Sequence, residues 1–319
     1  MLPRLKKILV IRLSSFGDIV LSFPLLKKIK EKLPECEVHF LTKKNYEDVL
    51  LLNPDIDKII FNDDRLSDTR KKVTDESYDL IIDIHKNFRS IYLSAFNSKN
   101  VVRYKKENFK KFLFVKFKIN FLKEVTPVWK KYILPVKRFL NFDKLNFEVS
   151  ELTFDRTKSI EGKYTVIAPA SRHFTKTYPA EKFIQYINNN TGTRFVLVGD
   201  NSKKEKLICS EIERSCKNVL NLCGKLTINN LAEVIYNSSH LICNDSAVLH
   251  LAEALGKKVI AIFGSTVREF GFFPQLEGSE VYENEGLVCR PCTHIGRGSC
   301  PKGHFKCMMG IEIQLRIRK

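Results

Sequence analysis

The sequence predicts an α/β protein made of two doubly wound halves. Three observations carry this. Short apolar runs alternate with helix-like segments, the alternation restarts after a polar stretch near the middle, and polar motifs follow several of the runs. Short buried strands separated by helices indicate a parallel sheet covered on both faces. At 319 residues the chain is long enough for two full cores.

In the first half Ile8–Leu13 reads as a buried strand and Ile19 to Leu33 as one amphipathic helix, with Pro24 tolerated early in it. Glu37–Leu41 is a second strand, and Asn45 to Leu52 a short helix stopped before Pro54. Lys58–Phe61 and Leu80–Ile84 are further strands, and regularity fades between Arg103 and Phe142. The polar stretch Asn146 to Gly162 reads as the linker, giving domains of residues 1–150 and 151–319. In the second half Tyr164–Ala168, Arg194–Val198, Val219–Leu222, Leu241–Cys243 and Val259–Phe263 read as strands. Helices are expected at Pro179–Asn188, Ser202–Cys216, Ile228–Ser238 with Thr227 as cap, and Ser246–Leu255 stopped by Gly256. Two such halves are expected to face a central cleft, with ligands at the carboxyl ends of strands.

Composition narrows the function. No apolar run approaches the roughly 20 residues of a membrane span. The start, Met1 to Lys7, leads directly into the first apolar run, which Arg12 interrupts, so a signal peptide is not expected and a cytoplasmic location is. Nine cysteines are then reduced thiols. The net charge of +18 calls for anionic partners.

Five motifs carry chemistry. Arg12-Leu13-Ser14-Ser15-Phe16-Gly17-Asp18 lies between the first strand and helix, and Asp18 is either a helix cap or a general base. Ser171, Arg172 and Lys176 follow the first strand of the second half and suit a diphosphate, the alternative being a solvated basic loop. Gly199-Asp200 and Asn221-Leu222-Cys223-Gly224 are candidates for nucleoside contacts. Asn244-Asp245-Ser246-Ala247, with His250, places a polar turn before a helix whose first N–H groups lack partners, an anion seat in which Asp245 or Ser246 caps the helix. The loop at residues 289–307 holds Cys289, Cys292, Cys300, His304 and Cys307 in a spacing that outlines a structural zinc site, the alternative being reduced thiols.

A basic stretch from Arg103 to Arg138 carries twelve Lys and Arg against two Glu, with Tyr104, Phe109, Phe112, Phe114, Phe117, Phe121 and Trp129 interleaved. That composition suits an acidic lipid surface, with Lys105, Lys106, Lys110, Lys111, Trp129 and Lys130 as candidates for acceptor or membrane contact. A helical hairpin with a solvated basic face, or a single-stranded nucleic-acid site, would use similar residues.

Taken together, Ser14 to Pro24, Asp79 to Ser90, and Asn244 to Gly256 with Ile262-Phe263-Gly264 resemble the lipopolysaccharide heptosyltransferases of glycosyltransferase family 9. The cysteine-rich segment is similar to one found in some members related to heptosyltransferase II. The resemblance implies a GT-B fold and an inverting, metal-independent transfer of heptose from ADP-heptose to the lipid A–core oligosaccharide. No cofactor is required. It implies Asp18 as base and a leaving diphosphate stabilised by Lys176, Ser171 and the N–H groups of Ser246 and Ala247. It places Asp245 near the sugar hydroxyls or the phosphate loop, His250 near the phosphates, and Asn221 near the ribose, where the family often has an acidic residue. Ala247 stands in place of the family's usual Gly, Ser265 where Pro is common, and the chain after Cys307 is short for a long terminal helix. The implied location is cytoplasmic and peripheral on the inner membrane. The alternatives are a related transferase using another nucleotide sugar, or a basic nucleic-acid-binding protein. The basic stretch matches no recognised nucleic-acid module, so no nucleic-acid partner is expected.

Overall fold

A computed structural model describes residues 5–95, 97–98, 100–142 and 145–314. Met1–Arg4 and residues 315–319, which complete the domains drawn from sequence and include most of the short C-terminal tail, lie outside the described residues. The chain divides into two compact units: residues 1–107 with 126–154, and residues 108–125 with 155–319. A single boundary near residue 150 assigns 108–125 to the first half, whereas this segment packs with the second unit.

The first unit holds β1 (Lys7–Ile11), β2 (Glu37–Thr42), β3 (Lys58–Phe61), β4 (Leu80–Asp83) and β5 (Val101–Arg103) in the order β3-β2-β1-β4-β5. All pairings are parallel. Ile8, Leu9, Val10 and Ile11 are all fully buried, as a central parallel strand covered on both faces requires. On one face Leu9, Ile11, Leu41, Ile60 and Ile81 pack with Val73, Tyr78 and Leu93. The helices are α1 (Phe16–Val20), α2 (Phe23–Lys32), α3 (Glu47–Leu50), α4 (Leu66–Asp75) and α5 (Phe88–Ser94). The helix expected over Ile19 to Leu33 is thus two helices. Pro24 sits in the first turn of α2, where its missing N–H costs nothing, and its ring cannot follow an unbroken helix through Val20.

Between the units in sequence come α6 (Asn108–Phe117), which packs with the second unit, and α7 (Val128–Ile133), which packs on α2 in the first. Residues 146–162 form no helix or strand.

The second unit holds β6 (Tyr164–Ala168), β7 (Arg194–Leu197), β8 (Val219–Asn221), β9 (His240–Asn244), β10 (Val259–Phe263) and β11 (Glu280–Glu283). Their order is β11-β10-β9-β6-β7-β8, again all parallel. The helices are α8 (Ala180–Asn188), α9 (Lys203–Ser215), α10 (Ile228–Asn237), α11 (Ala247–Ala254) and α12 (Lys306–Met309). Ser202 and Thr227 cap α9 and α10 by accepting from Glu205 and Asn230 N–H groups. Gly256 follows α11 with φ +74°, a left-handed stop that suits glycine. β11 was not foreseen, because it is a half-buried edge strand with acidic ends.

Both sheets reverse direction of winding at one point, between β1 and β4 and between β6 and β9. Loops at the carboxyl ends of these strand pairs are where open α/β sheets bind ligands. Among the described residues no helix is long and apolar enough to cross a membrane.

Candidate active site

In the first unit the loop after β1 brings Arg12 and Asp18 together. Arg12 Nη2 pairs with Asp18 Oδ2 at 2.6 Å. The same guanidinium is fixed by Ser14 O at 2.6 Å and Ile84 O at 2.7 Å, so it bridges the ends of β1 and β4. Asp18 Oδ1 accepts the Tyr132 hydroxyl at 3.0 Å, and Oδ2 accepts the Ser15 hydroxyl at 2.9 Å. Burial alone would push the Asp18 carboxyl up. The Arg12 charge and the hydrogen bonds from Ser15, Tyr132 and Arg12 outweigh it and hold the group below its usual value. Asp18 keeps 20% of its side chain exposed, so a carboxylate held ionised still presents an edge to solvent.

Tyr132 is buried and its hydroxyl is pushed well up, first by burial and then by Asp18, so it stays a donor. Tyr104 stacks edge-on against it at 5.2 Å. Sequence reasoning missed Tyr132; its signal was one more aromatic within a stretch read for charge. His85 follows β4. Burial, then the charges of Arg12 and Lys106, push its imidazole down to about 4. Asp83 is fully buried and accepts from the His85 and Lys86 N–H groups and the Ser90 hydroxyl, which shapes the loop into α5.

In the second unit the loops after β6, β9 and β10 converge. Lys176 Nζ meets Asp245 Oδ2 at 2.6 Å, and the Thr266 hydroxyl donates to the same oxygen at 2.6 Å. Lys176 and Asp245 are 13% and 6% exposed, so this is a largely buried pair. Asn244 is fully buried; it accepts from Tyr178 N–H at 2.9 Å and donates to Pro169 O at 2.8 Å, stapling the loop after β6 to β9. Ser171 Oγ reaches Asp245 O at 3.4 Å.

The side-chain cap expected from Asp245 or Ser246 is absent. Ser246 occupies the cap position with extended backbone, and its buried Oγ has no hydrogen-bond partner among the described residues. Asp245 has turned to an ammonium, a stronger charge-assisted partner than a backbone N–H. The first N–H groups of α11 are therefore left without a side-chain acceptor from this turn. Ala247 opens the helix, and His250 lies buried in it with its ring 6.0 Å from Phe272. Arg172 is exposed. Asn221 donates to Glu213 Oε2 at 2.8 Å and accepts from Cys223 N–H at 3.0 Å, so both ends of its amide are engaged within the unit.

The cysteine-rich segment braces this site. The Arg297 carbonyl accepts from Thr175 N–H at 3.1 Å, and Arg297 N–H donates to Thr175 Oγ1 at 2.9 Å, beside Lys176. The buried Arg290 donates to Thr266 O at 2.8 Å and Glu283 Oε2 at 2.6 Å, and also to the Gly264 and Asn284 carbonyls. Gly264 must be glycine in this packing, since a Cβ there would lie 2.9 Å from Thr175 O. Cys289 Sγ approaches His304 Nε2 at 3.8 Å. Among the described residues no group of three or more His, Cys, Asp or Glu is placed to hold a metal. Cys289, Cys292, Cys300 and Cys307, outlined as a zinc site from sequence, lie within electrostatic reach of one another in this segment. Its thiols are free, Cys307 is buried, and burial pushes it up to about 11.

The basic stretch divides on folding. Lys105 and Lys110 are exposed, while Lys106 and Lys130 are half-buried. Lys111 is buried, its ammonium over the Phe270 and Phe272 rings, and Trp129 is buried against Phe147. Lys111 and Trp129 therefore offer no face to a lipid surface.

Residues 67–296 match the family model described as glycosyltransferase family 9 (heptosyltransferase). The chain belongs to glycosyltransferase family 9. This family member is 28% identical over 309 residues to lipooligosaccharide heptosyltransferase 2 of Campylobacter jejuni, covering 93% of this chain and 91% of that one. Its fold matches a structure of the E. coli heptosyltransferase WaaC with ADP, at a TM-score of 0.71 and 16% identity, over 86% and 92% of the two chains. It also matches E. coli ADP-heptose LPS heptosyltransferase II at a TM-score of 0.69 and 17% identity, over 95% and 98%. The two Rossmann-like units are those of the GT-B architecture. As a member of this family the protein is a glycosyltransferase.

Proposed function

We propose that this glycosyltransferase moves heptose from ADP-heptose to the inner core of lipopolysaccharide, by a single inverting displacement that uses no metal. One observation carries the donor half of this reading: Lys176 and the uncapped start of α11 lie together at the carboxyl ends of β6 and β9. An ammonium and unpartnered helix N–H groups suit a diphosphate. Asp245 aims the ammonium, Thr266 fixes Asp245, and the exposed Arg172 adds a second cation. Relatives support the sugar and acceptor: one matched structure is described with ADP, another with an ADP-fluoroheptose, and the curated relatives are heptosyltransferases of lipooligosaccharide or lipopolysaccharide.

The acceptor oxygen attacks the anomeric carbon, the bond from that carbon to the diphosphate oxygen breaks, and the proton passes to Asp18. Lys176 and the α11 N–H groups take up the charge that develops on departing ADP. Arg12, Ser15 and Tyr132 keep Asp18 ionised and oriented to receive the proton. Its lowered affinity for protons makes it a modest base, adequate where the leaving group is already a good one. Lys106, half-buried beside Arg12 and forming no ion pair among the described residues, suits an anionic substituent on the acceptor. Because lipid A is membrane-anchored, the enzyme would work at the cytoplasmic surface of the inner membrane.

A panel of nucleotide sugars screened by thermal stabilisation, with mass analysis of the product on heptose-deficient acceptor, tests the reading. ADP-heptose should stabilise most and add one heptose; stabilisation and transfer with a different nucleotide sugar would replace it.

A further inference from the structure

Helix α6 is turned inside out. Its inward face carries a lysine: Lys111 is 8% exposed, with its ammonium 5.6 Å from the centre of the Phe270 ring and 5.7 Å from that of Phe272. Phe114 meets Phe270 edge-on from the same side. Its outward face carries phenylalanines: Phe109 is 72% exposed, Phe112 47% and Phe117 54%. Just beyond the helix Phe121 is 57% exposed. In a soluble helix the apolar stripe faces the core and the charges face water. Here a buried cation–π contact fixes the opposite orientation.

The outward rings rest on a fixed base. Lys118 donates to Pro291 O at 2.6 Å and to Cys289 O at 3.1 Å, and Asn120 donates to Glu269 at 2.9 Å. Leu122 is buried. The exposure is therefore not that of a frayed end. No acidic residue occurs between Asn108 and Lys123. Lys110 is exposed, and Lys116 extends over the Phe112 and Phe117 rings.

We propose that the outer face of α6, with Phe121 beyond it, is a wedge that inserts into the headgroup region of an anionic lipid bilayer. Contiguous exposed apolar area marks an interaction surface. Aromatic rings flanked by cations, on a segment that itself carries no acidic residue, match an interface that is apolar below and negatively charged at its surface. Single-stranded nucleic acid is less well matched, because it is held in a groove that tracks the backbone and not on an outward helix face. The proposal rests on the reading of the acceptor as lipid-linked.

The test uses the full-length protein and vesicles of phosphatidylethanolamine containing about one-third phosphatidylglycerol, read by co-sedimentation. Replacing Phe109, Phe112 and Phe117 together by Gln should lower partitioning about tenfold or more, and the loss should persist at high salt, since inserted rings are not screened. Thermal midpoint, and transfer to a delipidated acceptor, should stay unchanged. Wild-type protein that ignores the vesicles, or a triple variant that binds them equally, overturns the wedge. So does single-stranded DNA that displaces the vesicles at physiological salt. If vesicles bind as expected but no heptose is transferred to any acceptor, the wedge stands and the transfer reading fails.

Discussion

Replacing Asp245 with Ala isolates the arrangement on which the proposed donor site depends. In the wild type its Oδ2 holds both the Lys176 ammonium and the Thr266 hydroxyl at 2.6 Å. Removing it strands a cation that is 13% exposed and a buried hydroxyl. Breaking a buried pair from one side costs about 3–5 kcal/mol. The remaining exposure of Lys176 favours the lower end, about 3 kcal/mol. For a unit of this size each kcal/mol lowers the midpoint by about 2–4 °C, so the expected loss is about 6–12 °C. Calorimetry or dye-based melting reads it directly. The paired change Asp245→Leu with Lys176→Met removes both charges and should recover most of the loss, because no uncompensated charge remains. ADP should stabilise Asp245→Ala more than the double variant, since the diphosphate replaces the missing carboxylate as partner to Lys176. A midpoint drop below about 2 °C for Asp245→Ala, or a double variant no better than the single, would refute the reasoning.

Three further outcomes are expected. Asp18→Asn should leave ADP affinity within about twofold and reduce transfer by about 10²–10⁴-fold, the usual span for a lost general base; near-normal turnover would reduce Asp18 to a helix-start residue. His85 is held neutral, with its proton affinity lowered to about 4 from the ordinary 6.5. The unfolded chain therefore binds the extra proton between those values, and stability should fall as pH drops from about 6.5 to about 4. His85→Gln should flatten that slope in acid unfolding curves, and an unchanged slope would show that other groups set it. Arg290→Ala should lower the melting midpoint and weaken ADP binding together, through the loop carrying Thr266, and Arg290→Lys should not restore either. An ammonium cannot satisfy several carbonyls and Glu283 in one plane. Lysine rescue would argue for charge alone.

Most of the parallel strands were legible because strands buried on both faces read as near-continuous apolar runs, as β1, β6 and β10 do. β5 and β11 were not: β5 is a three-residue edge strand ending at Arg103, and β11 is a half-buried edge with glutamates at both ends, so neither has such a signature. Asp18, Lys176 and Asp245 could be named from their motifs, but not their partners. Lys176 and Asp245 meet only when β6 and β9 pair, and Thr266 joins them only through β10. Arg290 was hidden inside a motif read for its cysteines, and Tyr132 inside one read for its lysines. Lys111 shows the limit of reading charge as surface: two phenylalanine rings far along the chain decide that it is buried.

The assignment of residues 108–125 to the second unit has a practical consequence. The peptide backbone passes from one unit to the other at three places, after residues 107, 125 and 154. No single cut yields two whole domains. A fragment beginning at residue 155 would lack α6 and uncover Phe270 and Phe272 to water, while a fragment ending at 154 would carry α6 with nothing to pack against. Isolated halves should therefore aggregate. A separately folding second unit would need residues 108–125 grafted back, by co-expression or by rejoining the ends elsewhere.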